Sequence, residues 1–306
     1  MIIIDPDEKM IRKKKGDVNQ GLGHTISTKG VDRMKMFITD LDGTLFRSDH
    51  SFSKNDLDML EKLGSLGVIR VLATGRSLFS LKRSIPFHLP VDYLIFSTGL
   101  GVASYPDPHK HTLKTETLSH EDTKTIASLL ENLGVDYMIQ DPVPDNHAFA
   151  FRHFGRENSD FNTRLDFYKG HYRAISPNIM DLGPSSQFLA MIPGGNGKET
   201  LDCLRRTLHA YTVINSSSPF DGKTMWIEIF PKSVSKSKAA TWLSNQLKID
   251  RNDIVAVGND YNDEDLLEWV GQAFVVANSP PDMKKRFSVV ASNNHEGVCE
   301  AIQAML

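Results

Sequence analysis

The order of predicted strands and helices changes twice along the chain, and this constrains the fold more than any other feature. Strands and helices alternate over 36–96, then a region follows in which a helix and two strands occur twice, and the alternation returns near residue 236. Alternation predicts a parallel sheet covered by helices, whereas consecutive strands predict antiparallel pairing. We therefore predict an α/β fold with a parallel-sheet core over 34–102 and 230–306, split by an inserted α+β domain over 103–229.

Composition places the chain among ordinary globular proteins and excludes several functional classes. Of its 306 residues, 40% are hydrophobic and 24% are charged, which is the balance of a folded domain and not of a disordered chain. The net charge of −3 argues against a dedicated nucleic-acid-binding protein. No apolar run approaches the roughly 18 residues of a membrane span. Without a recognisable signal peptide we expect a cytoplasmic protein, and the sequence leaves its oligomeric state open.

Residues 1–33 differ from the rest of the chain. They contain a basic run at Arg12–Lys15 and show no sustained period of 2 or 3.6 residues. Their seven basic and five acidic residues give them a net charge of +2. We predict a flexible N-terminal extension, and Met34 or Met36 is an alternative start of the protein.

Three polar clusters directly follow predicted strands. They are the pair Asp40 and Asp42, the single residue Thr74, and the segment 259–263. Because ligands of open parallel sheets bind beyond the carboxyl ends of the strands, we expect these clusters to converge. Gly43 permits a tight turn that a larger residue would strain, so both carboxylates can point into one small volume.

Four short motifs occur in order along the chain. They are Asp-Leu-Asp-Gly-Thr within 37–46, Thr-Gly-Arg within 71–76, Ser-Lys at 235–236 and Gly-Asn-Asp-Tyr-Asn-Asp at 258–263. These motifs, and the insertion between the second and the third, resemble those of the haloacid dehalogenase (HAD) superfamily phosphatases. The resemblance covers about 36–306 and is closest to the Cof-like branch. It implies a Rossmann-like core and identifies the inserted domain as a large α/β cap of the C2B type.

The resemblance implies roles for the first pair of carboxylates. Asp40 would be the nucleophile that forms an aspartyl-phosphate. Asp42 would protonate the leaving alkoxide and later deprotonate the attacking water. Two carboxylates this close repel each other, so we expect a divalent cation, and Mg²⁺ suits an all-oxygen site. The family pattern places the Asp40 carboxylate and the backbone carbonyl of Asp42 on the metal.

A second set of groups is predicted to bind the phosphoryl oxygens. Thr74 would donate its hydroxyl, and Lys236 would neutralise charge between nucleophile and phosphate. Arg76 is left open between an ion pair in the core and a contact with substrate. Lys238 competes with Lys236 but points to another helix face, so we predict it to be solvated. The predicted substrate-binding residues are Thr74, Gly75, Arg76, Lys236 and Asn262.

The fourth motif departs from the usual family pattern. Asn259 stands where the first acidic metal ligand is expected, and Asp260 follows it. Either Asn259 coordinates directly, or Asp260 turns in, or a water intervenes; we expect Asp260 to take part, together with Asp263. The predicted metal ligands are Asp40, Asp42, Asn259, Asp260 and Asp263. A second departure, Ser97–Leu100, replaces the Asn-Gly-Ala of many relatives and puts a polar contact near the site rim in doubt.

These observations predict a Mg²⁺-dependent phosphatase that acts on a small phosphorylated metabolite, with a sugar phosphate as the expected substrate. Basic residues between 152 and 173 are candidates for substrate recognition, but a solvated basic face is the simpler interpretation. One alternative is a phosphohexomutase of the phosphomannomutase type, which would return the phosphoryl group to the sugar. The other is a non-catalytic phosphate-sensing module, which only the altered fourth motif supports.

Overall fold

The computed structural model describes the chain from Met34 to Leu306 except for four short gaps, at residues 86–87, 177–178, 194–196 and 219–223. The N-terminal extension predicted over 1–33 lies outside the described residues, so its flexibility stays a prediction. Among the helices that are described, none has the length and apolar character needed to cross a membrane.

Strands and helices follow one another as the sequence pattern predicts, with several short strands in addition. In chain order they are β1 (Met36–Thr39), α1 (Lys54–Ser65), β2 (Ile69–Ala73), α2 (Leu78–Ser84), β3 (Tyr93–Phe96), β4 (Gly101–Ser104), β5 (Thr112–Thr115), α3 (His120–Leu133), β6 (Asp136–Gln140), β7 (Phe149–Arg152), α4 (Ser159–Phe167), β8 (Tyr172–Ala174), β9 (Gln187–Ile192), α5 (Gly197–Thr207), β10 (Tyr211–Ser217), β11 (Met225–Pro231), α6 (Lys236–Gln246), β12 (Ile254–Gly258), α7 (Glu264–Trp269), β13 (Gln272–Val276), α8 (Met283–Arg286), β14 (Ser288–Val290) and α9 (Gly297–Gln303).

The core domain is built on a sheet of eight described strands in the order β14-β13-β12-β1-β2-β3-β4-β5. Strand β1 lies in its middle and pairs in parallel with both β12 and β2. Its side chains alternate between two apolar clusters: Phe37 packs with Leu60 of α1, whereas Ile38 packs with Leu243 of α6. This period of two residues is expected of a strand covered by helices on both faces. The α/β core predicted from the sequence is confirmed.

The inserted domain contains a second sheet, in the order β10-β11-β9-β6-β7-β8. Its pairs are antiparallel except for β7 with β8. Helices α3 and α5 cover one face, where Leu130 and Leu204 belong to one buried cluster. The opposite face carries a smaller cluster that includes Met138 and Trp226. The predicted α+β character of the insertion is therefore confirmed.

The predicted start of the insertion, residue 103, falls inside β4. Strands β4 and β5 extend the core sheet, with β3, β4 and β5 joined by antiparallel pairing. No helix separates these strands, so the strand–helix pattern alone does not assign them to the core. We propose that the cap begins after Thr115 and that the core resumes near the end of β11.

Candidate active site

Asp40 lies at the carboxyl end of the central strand. Its backbone N–H donates to the carbonyl of Val257 (3.0 Å), which continues the pairing of β1 with β12. The side chain is buried, and its Oδ1 accepts a hydrogen bond from Lys236 Nζ (2.7 Å). The strand thus presents a buried carboxylate at the sheet edge where ligands of such folds bind.

Lys236 connects two of the predicted clusters. It is the first residue of α6, it is fully buried, and its Nζ also lies 2.5 Å from Asp263 Oδ1. Lys238 is exposed, and its ammonium contacts the backbone carbonyl of Lys232. Of the two lysines, the structure brings Lys236 to Asp40.

The start of α6 is positioned by the turn after β3. Ser97 and Thr98 have φ values of 49° and 60°, and Gly99 has a φ of 99°. A Cβ atom on Gly99 would collide with the carbonyl of Ser235, the residue that caps α6. Glycine therefore permits both the left-handed backbone and the close approach that seats Lys236.

The electrostatics of this centre are under-compensated by protein groups alone. Burial, and next the charge of Asp263, raise the pKa of Asp40 to about 7 against the opposing effect of Lys236. Burial alone would lower the pKa of Lys236, but the charges of Asp263 and Asp40 outweigh it and raise that pKa. The two buried carboxylates share one ammonium. The centre therefore carries excess negative charge, which a further cation would neutralise.

Asp42 lies beside this centre and is about half exposed. Both of its oxygens accept from Arg76: Nε donates to Oδ2 (2.7 Å) and Nη2 to Oδ1 (2.6 Å). The third guanidinium nitrogen, Nη1, donates to the hydroxyl of Ser84 (2.5 Å). Arg76 therefore forms the ion pair within the core that the sequence left open, and it also borders the cavity described below.

The loop after β12 brings Asn259 and Asp263 to the site. Asp263 is buried, and its Oδ2 accepts the backbone N–H groups of Asn259 (3.0 Å) and Asp260 (3.3 Å). The Asn259 side chain lies against Gly43, where an added Cβ would collide with its amide nitrogen. Gly43 also has a φ of 74°, so the turn after Asp42 needs glycine for conformation and for space.

Asp260 and Asn262 do not join the cluster through their side chains. Asp260 is exposed, and its Oδ1 accepts from the backbone N–H of Tyr261 (2.8 Å), which caps the short 3-10 turn over 261–263. Asn262 is also exposed. We expected Asp260 to take part in the metal shell; in the structure its carboxylate caps this turn, and its role at the metal stays a prediction.

The donors that converge here are all oxygens. Within the described residues, no group of three or more His, Cys, Asp or Glu side chains is arranged for a metal. The carboxylates of Asp40 and Asp263 nevertheless share Lys236, and the Asn259 side chain lies against Gly43, the residue after Asp42. This donor set fits a hard divalent cation and not a soft one.

Thr74 directly follows β2 and is fully buried. Its hydroxyl oxygen accepts from the backbone N–H of Arg76 (3.1 Å), so the hydroxyl proton is available for another acceptor. Gly75 follows and lines the cavity between core and cap. This arrangement suits a donor to an anionic oxygen beside Asp40.

A cavity of about 220 Å³ lies between the two domains and is bordered by Gly75, the neighbour of Thr74, and by Arg76, the partner of Asp42. Core residues from the ends of β2 and β3 line one side, and residues of the cap sheet line the other. The cap residues that line it are Gln140, Asn146, Arg164, Tyr168, Gln187, Leu189, Trp226 and Glu228.

Most of these cap residues were not predicted. Of the basic residues between 152 and 173, Arg164 alone is among those that line the cavity, whereas Arg152 pairs with Glu131 and Arg173 with Asp141. The available sequence signal was a polar residue closing an apolar strand, as Gln140 closes β6 and as Thr74 follows β2. Pairing within the cap sheet then decides which of these residues face the cavity.

Comparisons with known proteins agree with this geometry. Residues 37–302 match the family of haloacid dehalogenase-like hydrolases. The HMP-PP phosphatase of Escherichia coli O6:H1 is 25% identical over 248 residues, 80% of this chain and 85% of that protein. The 5-amino-6-(5-phospho-D-ribitylamino)uracil phosphatase YwtE of Bacillus subtilis is 24% identical over 296 residues, 89% of this chain and 98% of that protein.

A solved structure supports the fold independently. The HAD subclass IIB sugar phosphatase BT4131 matches with a TM-score of 0.67 at 16% identity, over 89% of this chain and 100% of that one. The family match covers both core segments and the inserted cap. The chain belongs to the haloacid dehalogenase-like hydrolases, in their Cof-like branch, and is a phosphoric monoester hydrolase.

Proposed function

We propose that this protein is a Mg²⁺-dependent phosphatase that hydrolyses a small sugar phosphate through an aspartyl-phosphate on Asp40. The observation that carries the proposal is the fully buried Lys236 between Asp40 and Asp263. A buried ammonium beside two carboxylates costs desolvation energy and is weak evidence for stability alone. Its placement is explained if it neutralises a phosphoryl group during transfer.

In the first half-reaction, a carboxylate oxygen of Asp40 attacks phosphorus and the bond to the leaving oxygen breaks. Thr74 donates its hydroxyl to a phosphoryl oxygen, and Lys236 balances the charge of that group. Asp42 gives its proton to the departing alkoxide, so the alcohol leaves neutral.

In the second half-reaction, water attacks the phosphorus of the aspartyl-phosphate. Asp42 now accepts a proton from that water, inorganic phosphate leaves, and the Asp40 carboxylate is restored. Asp42 cannot carry a proton and keep both contacts with Arg76. We propose that the substrate phosphate draws Arg76 away from one oxygen, which frees Asp42 to act as an acid.

A magnesium ion would be held by Asp40, the carbonyl of Asp42, Asn259 and Asp263. When bound it supplies the positive charge that keeps the Asp40 nucleophile ionised and screens the phosphate. Asn259 would offer a neutral oxygen where the family pattern has an acidic residue, so the ion would be held with one negative charge fewer.

The proposed substrate class rests on the site and on the named relatives. Three similar proteins are named as phosphatases of HMP-PP, of 5-amino-6-(5-phospho-D-ribitylamino)uracil and of a sugar. The cavity of about 220 Å³ is smaller than the roughly 300–1,000 Å³ of sites for drug-sized ligands. A small leaving group is therefore favoured.

Phosphate release with Mg²⁺ from a panel of sugar phosphates and 4-nitrophenyl phosphate tests the proposal. We expect Asp40→Asn to lower turnover by about 10³-fold or more, because an amide cannot attack phosphorus. Asp58→Asn, on the exposed surface of α1, is the matched control and should keep full activity. Residual activity of Asp40→Asn within tenfold of wild type would exclude the nucleophile assignment, and sugar isomerisation without phosphate release would indicate a mutase.

A further inference from the structure

The carboxamide of Gln140 is buried without the partners that a buried amide needs. Gln140 closes β6 and is only 2% exposed. Neither its Oε1 nor its Nε2 has a hydrogen-bond partner among the described residues. Buried polar groups are nearly always paired, so an amide with both ends unpaired calls for a ligand. The residue lines the cavity between cap and core, where such a ligand would bind.

Asn146 offers a second unpaired acceptor to the same cavity. Its Nδ2 donates to the Ser97 hydroxyl (2.9 Å), a contact that joins the cap to the turn after β3. Its Oδ1 is buried and has no partner among the described residues. The Ser97 contact fixes the amide orientation, so Oδ1 is held in place as an acceptor.

Arg164 offers an unpaired donor. Its guanidinium carbon lies 5.0 Å from the ring centroid of Tyr168 and 5.2 Å from that of Trp226, and all three residues line the cavity. The Nε atom is buried without a hydrogen-bond partner among the described residues. Two aromatic rings thus hold the cation, and Nε is left for a ligand.

These groups define the chemistry of the ligand. Donors and acceptors are both present within one small volume, and a hydroxyl group can satisfy either kind. The cavity also carries charges of both signs, from Arg164 and Glu228, which gives it no strong preference for an ionic leaving group. A neutral ligand with several hydroxyls would satisfy the unpaired atoms, whereas an apolar one would leave them buried and unpaired.

We propose that Gln140, Asn146 and Arg164 bind hydroxyl groups of the leaving alcohol, with Gln140 as the main determinant of specificity. The inference rests on the proposed function. Because Gly75 follows Thr74 and lines the cavity, a phosphoryl group at Thr74 places the leaving alcohol beside these three residues. Selectivity arises because an alcohol without hydroxyls cannot replace the missing hydrogen bonds.

The test compares Gln140→Leu with the wild type on two classes of substrate. Ribose 5-phosphate and glucose 6-phosphate carry hydroxyls in the leaving group, and 4-nitrophenyl phosphate does not. We expect kcat/KM for the better sugar phosphate to fall at least tenfold, while kcat/KM for 4-nitrophenyl phosphate does not fall, because its leaving group has no hydroxyl to pair with the amide. Gln246→Leu, at an exposed position of α6, is the control and should change neither.

The melting temperature separates recognition from a structural role. Since leucine removes an unpaired buried amide, Gln140→Leu should keep or raise the melting temperature without ligand. A lower melting temperature, or an equal loss on both substrate classes, would overturn the inference and leave the phosphatase assignment standing. Gln140→Met repeats the test with an unbranched side chain if the leucine variant does not fold. If the wild type releases phosphate from none of the three compounds, the proposed function is overturned, and this inference with it.

Discussion

The reaction centre and the cap cavity treat buried polar groups in opposite ways. At the centre, Lys236 donates hydrogen bonds to the carboxylates of Asp40 and Asp263, at 2.7 and 2.5 Å. In the cavity, the amides of Gln140 and Asn146 have atoms without a partner in the part of the chain that the structure describes. One region is preorganised before any substrate arrives, and the other is completed only by a ligand.

This difference separates chemistry from recognition in physical terms. Groups that transfer a phosphoryl must already be in place, because reorganising them during the reaction would raise the barrier. Groups that choose a substrate gain selectivity if the wrong ligand leaves them unpaired. A buried pair therefore indicates reaction machinery in this molecule, and an unpaired buried amide beside a cavity indicates a specificity element.

The strongest way to break the paired region is to remove its cation. Lys236→Met should leave Asp40 and Asp263 buried without an opposing charge and lower the free energy of unfolding by about 3 kcal/mol. Turnover should fall by about 10²-fold or more, because no ammonium faces the phosphoryl group. Chemical denaturation and Mg²⁺-dependent phosphate release measure the two effects.

Lys238→Met is the matched control for that experiment. Lys238 lies two residues further along the same helix but is exposed, so both stability and turnover should stay near the wild type. If the two variants behaved alike, the buried cluster would have no special role, and the contrast with the cavity would disappear.

How far the sequence predicts each region follows from the same contrast. The predicted reaction centre lies in short motifs at strand ends and at one helix start, so Asp40, Thr74, Lys236 and Asp263 could be proposed as site residues from the sequence. The cavity depends on which residues of β6, β9 and β11 come to face the core, and that is decided by pairing between distant strands. Gln140 belongs to no motif, and its position at the end of an apolar strand does not by itself show that its side chain faces the cavity.

The same limit applies at the fourth motif and at the domain boundary. Asp260 is acidic and Asn259 is neutral, so residue type favours Asp260 as a metal ligand. In the structure, however, the Asp260 carboxylate caps the turn over 261–263. Strands β4 and β5 extend the core sheet without an intervening helix, so alternation of elements did not reveal them. In both cases, local hydrogen bonding decided what residue type alone did not.

A smaller effect is expected at the altered metal loop. Asn259→Asp adds a carboxylate facing Gly43 and should lower the Mg²⁺ concentration for half-maximal activity several-fold. Asp260→Asn should leave that concentration within about twofold, because its side chain caps a turn and is exposed. Magnesium titrations of activity decide between the two positions. A sharply raised Mg²⁺ requirement in Asp260→Asn would return Asp260 to the metal shell.

The smallest expected effect concerns an unpaired buried atom that does not line the cavity between cap and core. It tests whether such an atom affects stability alone and not substrate recognition. Asp56 of α1 is buried, with Oδ1 accepting the backbone N–H of Cys299 in α9 (2.7 Å) and Oδ2 unpaired among the described residues. Burial raises the pKa of Asp56 to about 6 in the folded state, above its ordinary value of 3.8.

The folded protein therefore binds this proton more tightly than the unfolded chain. Ionisation of Asp56 should lower the free energy of unfolding as pH rises from about 4 to 6. Asp56→Asn keeps an acceptor for Cys299 but cannot ionise. Its free energy of unfolding, relative to that of the wild type, should therefore rise by about 1 kcal/mol between pH 4 and 6, after allowance for solvent screening. Denaturant unfolding at pH 4, 5, 6 and 7 measures the difference, and kcat/KM for sugar phosphates should stay unchanged. Two results would contradict this prediction: a stability difference between variant and wild type that does not change with pH, or a loss of kcat/KM for sugar phosphates alone. Either would show that the position of an unpaired buried atom does not distinguish a structural site from a recognition site in this fold.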